Sequence, residues 1–80
     1  MTVNKALALR LSALLFKNKM SKYRLERISG MSHSAMIHIF NEDYKDIKLS
    51  TVIRFARAFN MSLAEFLNDP LFENLDLEIE

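Results

Sequence analysis

The sequence predicts a small all-α domain of five helices, and three observations predict it. Apolar residues recur at three- and four-residue steps through most of the chain, capping residues precede those stretches, and the single glycine and single proline stand at their ends. Half of the 80 residues are apolar, which suffices for one domain with one thin core. No stretch approaches the ~18 uninterrupted apolar residues of a membrane span. The nearest, residues 6–16, is interrupted by Arg10 and Ser12, and without a small-residue cleavage site it is not a signal peptide either. The absence of cysteine excludes a disulfide and permits a reducing compartment, so the cytoplasm is the expected location.

Each element follows from local signals. In residues 3–17 the apolar positions Val3, Leu7, Leu11, Leu14 and Leu15 mark one face of a helix that Thr2 can cap. After a short connection, Ser21 caps a second helix over residues 22–29, and Gly30 ends it, because glycine adopts at low cost the positive φ of a sharp stop. Only Met31 separates Gly30 from the next cap, Ser32, so a third helix over 33–40 starts at once. It turns Met36, Ile39 and Phe40 inward and Ser34, Ile37, His38 and Asn41 outward.

A polar loop over residues 41–48 leads to a fourth helix, to about residue 59, whose expected apolar stripe is Leu49, Val52, Ala56 and Phe59, with Arg54 and Arg57 off it on a solvated face. Ser62 and Glu65 form a capping box that opens a short fifth helix through Leu63, Phe66 and Leu67, and Pro70 stops any extension. Residues 75–79 then alternate apolar and acidic side chains, the period of a half-buried strand; the competing reading is a frayed acidic end. The expected division is a helical domain over residues 1–69 and an acidic tail over 70–80.

The formal net charge of +1 is an average of opposite parts. Residues 1–60 carry eleven Lys or Arg and four acids, a net of +7, whereas residues 61–80 carry six acids and no base, a net of −6. A basic helical part suits a polyanionic partner.

Two short helices joined by a tight glycine turn can each bury a face only by crossing steeply, the arrangement of a helix-turn-helix. The segment MSKYRLERISGMSHSAMIHIFN (residues 20–41) resembles the lambda-repressor-like (Cro/repressor, xenobiotic-response-element) family of DNA-binding domains, and LSTVIRFARAFNMSLAEFL (residues 49–67) resembles that family's fourth and fifth helices. The resemblance implies binding of double-stranded DNA through the major groove, with no enzymatic activity. It assigns base reading to Ser32, His33, Ser34, Ile37, His38 and Asn41, and phosphate contacts to Ser21, Lys22, Tyr23, Tyr44, Lys45 and Lys48. Ile37 stands where a polar residue is more usual and suits a thymine methyl. Glu26 stands where the family usually has a small residue, which predicts a shifted helix crossing or a carboxylate turned outward. Glu42 replaces a common glycine after Asn41.

Other chemistries find little in the residues. Met31, Met36 and Met61 read as core. His33 and His38 are about 140° apart around a helix, so they do not converge on a metal, and no metal or cofactor is expected. The neighbouring serines have no nucleophile–base spacing, so no catalysis is expected.

One reading helix spans few base pairs, and a homodimer on two half-sites extends the reach. Its expected surface is Phe66, Leu71 and Phe72 with the alternating residues Leu75, Leu77 and Ile79. The functional expectation is a homodimeric transcriptional repressor. The rival is an antitoxin or adaptor that uses the same fold mainly to hold a protein partner, favoured by Ile37 and Glu26 on the reading side.

Overall fold

Thr2 opens the first helix as expected, its hydroxyl accepting the Lys5 amide at 3.1 Å. The computed structural model describes residues 1–76 and shows five helices, α1 (Val3–Asn18), α2 (Lys22–Ser29), α3 (His33–Phe40), α4 (Leu49–Ala58) and α5 (Leu63–Leu67), followed by one 3₁₀ turn, Pro70–Phe72. α1 stops at Lys19, whose left-handed φ of 52° lets the Met20 amide reach back to the Leu15 carbonyl at 2.9 Å. Ser21, Ser32 and Ser62 cap α2, α3 and α5, each accepting the amide three residues on. At α5 the box is reciprocal, with the Ser62 amide donating to Glu65 Oε1 at 3.0 Å. That backbone bond, and then the Ser62 hydroxyl, hold the Glu65 carboxyl below the ordinary glutamate range.

Leu7, Leu11, Leu14 and Leu15 of α1 meet Leu25, Met36, Ile39, Phe55, Ala56 and Phe66 in a single core. Phe55 and Phe66 are its largest members and fully buried, each contributing roughly 1.5 to 3 kcal/mol relative to an exposed ring. Two expectations need correction. The buried face of α4 is centred on Thr51, Phe55 and Ala56, with Val52 and Phe59 at its margin; Leu49 lies roughly 90° away from that centre and is exposed. Val3, at the open first turn of α1, is exposed rather than core.

Arg10 is the interruption in the apolar stretch of α1, and it does not face water. Its Nε donates to the Phe66 carbonyl at 2.8 Å, Nη2 to the Glu65 carbonyl at 3.1 Å and Nη1 to Asp69 Oδ2 at 3.2 Å. The guanidinium also lies 5.6 Å from the Phe66 ring centroid. It satisfies the Phe66 carbonyl, which the short helix leaves open at its C-terminus, adds a second donor to the Glu65 carbonyl beside the Asn68 amide, and so fastens α5 to α1.

The chain beyond α5 folds back on the same body. Asp69 caps the 3₁₀ turn, and the Phe72 ring packs 6.2 Å from that of Phe66. Asp76 forms a parallel bridge with Thr2, its amide donating to the Met1 carbonyl at 2.8 Å. Of the alternating residues expected to form a strand, Leu77 and Ile79 lie outside the described residues; at Asp76 the pairing partner is the chain's own first residues. Phe66, expected on a dimer surface, is instead sealed inside the core between Arg10 and Phe72.

Candidate nucleic-acid interface

The turn between α2 and α3 is held by backbone, hydroxyl and guanidinium bonds together. Gly30 adopts φ 74° and its amide donates to the Glu26 carbonyl at 3.1 Å. The buried Ser29 hydroxyl donates to that same carbonyl and accepts from the Met31 amide. From α4, Arg54 Nη1 reaches the Ser29 carbonyl at 3.5 Å, close enough to Gly30 that a Cβ there would stand 3.2 Å from it. Arg54 is exposed, as the solvated-face reading expects, and its one contact here also braces the turn from behind.

Met36 and Ile39 anchor α3 in the core, which fixes what the helix presents on its other side. Ser32, His33, Ser34, Ile37, His38 and Asn41 are all exposed, Ile37 at 46 %. α3 carries no Lys, Arg, Asp or Glu. Its two histidines are each tied to a carboxylate from a neighbouring segment: His33 Nδ1 donates to Glu26 Oε1 at 2.8 Å, and His38 Nδ1 to Asp43 Oδ1 at 2.9 Å. Glu26 thus turns sideways across the turn and onto His33, and in this way a carboxylate is accommodated at a position where a small side chain was expected.

Positive charge flanks this face. Lys22 Nζ sits 4.3 Å from the Phe40 ring centroid, a cation–π contact that holds it at the α2–α3 groove beside Tyr23 and Ile37. Arg27 lies against the Tyr23 ring at 5.8 Å. In the loop that leads to α4, Lys45 and Lys48 are exposed, and no side chain caps the first amides of α4 at Lys48. Tyr44 differs from its neighbours: it packs half-buried against the core, and its carbonyl accepts from Asn4 Nδ2 at 3.0 Å. Glu42 occupies the left-handed region at φ 63°, which accounts for glycine being common there.

The sequence reading did not find the roles of Glu26, Asp43 and Arg54. A signal existed for the first two, since each acid lies within seven residues of its histidine, across a turn or at a helix end. For Arg54 there was none, because its target is 25 residues away. Of the expected dimer residues, Leu71, Phe72 and Leu75 are half-buried, and Leu67 of α5 is exposed. Among the described residues no three His, Cys, Asp or Glu come together to hold a metal ion, and no helix is long and apolar enough to cross a membrane.

No curated protein and no solved structure is significantly similar to this chain. The family model of the Cro/C1-type HTH DNA-binding domain matches residues 10–70, which takes in α2, α3, the loop, α4, α5 and most of α1. With that match over most of its length and a glycine-turned helix pair at its centre, the chain belongs to the Cro/C1-type helix-turn-helix DNA-binding family.

Proposed function

We propose that this protein is a sequence-specific regulator of transcription that binds double-stranded DNA as a homodimer and represses by occluding a promoter in the cytoplasm. The observation that carries the proposal is the outward face of α3: exposed, free of fixed charge, covered by nothing else in the described chain, with Lys22 held in the groove beside it and Lys45 and Lys48 exposed in the loop that follows. Ser32, His33, Ser34, Ile37, His38 and Asn41 meet base edges in a groove about 12 Å wide, while Ser21, Lys22, Tyr23, Lys45 and Lys48 meet phosphates. Tyr44 shapes the loop from the core side, its backbone near the phosphates. With Phe66 inside the core, the proposed dimer surface reduces, among the described residues, to Leu71, Phe72 and Leu75 with exposed Leu67.

Selection of bound sequences from a random duplex pool tests this directly. The expected result is enrichment of two symmetric half-sites about one helical turn, ~34 Å, apart. No enrichment at any salt concentration would refute sequence-specific binding, and a single asymmetric site would refute the homodimer. The second reading, an antitoxin or adaptor, is favoured by the exposed apolar Ile37 and Tyr23 beside the groove. It predicts retention by a protein partner that duplex DNA does not displace, and weak binding to DNA.

A further inference from the structure

We infer that Glu26 is a positioning residue for base recognition: it fixes His33 in the one ring orientation and tautomer that offers Nε2 to the DNA. The inference rests on the proposed reading of His33 and goes beyond it, because Glu26 itself meets no base. The His33 side chain is 78 % exposed, whereas that of Glu26 is only 19 % exposed, so the carboxylate is the fixed partner and the imidazole the presented one. At 2.8 Å from Oε1, Nδ1 is within a strong hydrogen bond. A carboxylate accepts and does not donate, so Nδ1 carries the proton whether the ring is neutral or charged. Nε2 is then the atom left free, and the ring cannot turn over to present its other nitrogen without breaking the bond.

Location strengthens the argument. His33 is the first residue of α3, immediately after the Ser32 cap, and the amino end of a reading helix is the end that reaches furthest into the groove. Glu26 lies on α2 one turn before Gly30, and its own carbonyl accepts the Gly30 amide, so its backbone is held by the same turn that positions His33. Lys22, one turn before Glu26 on α2, is engaged over the Phe40 ring, and the adjacent Arg27 lies against the Tyr23 ring, so neither competes for the carboxylate. A histidine free to exchange tautomers can read either a donor or an acceptor and discriminates poorly; a histidine with Nδ1 fixed cannot exchange roles.

The test uses the full chain with Glu26→Gln and Glu26→Ala, together with His33→Ala. On duplexes varied one base pair at a time around the selected site, the wild-type chain is expected to discriminate about fivefold or more at the pair that His33 faces, the lower range for a specific base contact. In both Glu26 variants that preference falls below about twofold while preferences elsewhere persist, and in the His33→Ala background Glu26→Gln changes no preference. Affinity for random duplex rises in the Glu26 variants, because a negative charge near the phosphates is gone. Ring ¹⁵N shifts give a readout that needs no DNA: neutral His33 is expected as the Nδ1–H tautomer in the wild type and shifts toward Nε2–H in Glu26→Ala. Dominance of Nε2–H in the wild type overturns the inference, as does a base preference that survives both substitutions. A wild-type chain that prefers no sequence overturns instead the reading of His33 as a base contact.

Discussion

Arg10→Ala should be among the most damaging single substitutions in the chain, although Arg10 is none of the residues proposed to touch DNA. Its side chain is only 12 % exposed, and it makes two bonds from a charged donor to half-buried acceptors, the Phe66 carbonyl and the Asp69 carboxylate. Such bonds contribute roughly 1.5 to 3 kcal/mol each, and the Phe66 ring adds about 0.5 to 1 kcal/mol. The bond to the Glu65 carbonyl is exposed and counts for little. Asp69, 27 % exposed, recovers part of its hydration when stripped of its partner, which puts the total at the low end of that range, about 3 to 4 kcal/mol. Against the roughly 4 to 12 kcal/mol available to 80 residues, that is a large fraction. Urea unfolding followed by circular dichroism, with a slope near 1 kcal/mol per molar, should show the midpoint falling by about 3 M. Arg10→Lys should recover only part of this, since an ammonium cannot span a carbonyl and a carboxylate as the planar fork does. A fall of less than about 1 M for Arg10→Ala, at unchanged slope, would refute the view that Arg10 fastens α5 to α1.

Glu42→Gly should raise stability by about 0.5 to 1 kcal/mol, because it relieves a side chain held at φ 63°; a lower melting temperature would show that the Glu42 side chain stabilises the loop. The Glu65 carboxyl is held below its ordinary pKa in the folded chain, so its contribution is present above the unfolded-state value and is lost as pH falls through the folded one. Glu65→Gln should therefore flatten the loss of stability on acidification below the ordinary glutamate range, compared with the wild type by urea midpoints at several pH values. Lys22→Ala should weaken binding to all duplexes alike and reduce the log–log salt slope by about one unit, whereas His33→Ala should cost roughly 1 to 3 kcal/mol on cognate duplex alone. Equal losses on cognate and random duplex for His33→Ala would remove it from the base contacts.

Local signals accounted for most of the fold. Thr2, Ser21, Ser32 and Ser62 each announced a helix that begins at the next residue, Gly30 marked a real end, and Pro70, three residues past the end of α5, opens the 3₁₀ turn, because caps and stops act within one turn and need no tertiary partner. The face of α3 was legible for a related reason: Met36 and Ile39 leave little choice of which side is buried. Periodicity failed where it had few positions to work with. In α5, five residues long, Phe66 and Leu67 are both apolar, and only the arrival of Arg10 and Phe72 decides that Phe66 is the buried one. Leu49 was misplaced because it opens α4, where a stripe has no earlier turn to define it. Arg10 and Arg54 act on carbonyls far along the chain, and a sequence shows a cation without showing what it will reach.

That α3 carries no fixed charge separates two properties that are often entangled. Under the proposed function, attraction to DNA comes from lysines on other segments, while discrimination comes from a helix with no fixed charge of its own. Raising ionic strength should lower absolute affinity for every duplex by a similar factor and leave the ratio between preferred and random sites nearly constant. Exchanging residues on that face for others of neutral character should accordingly alter which sequence is preferred and leave the strength of attachment to the lysines elsewhere.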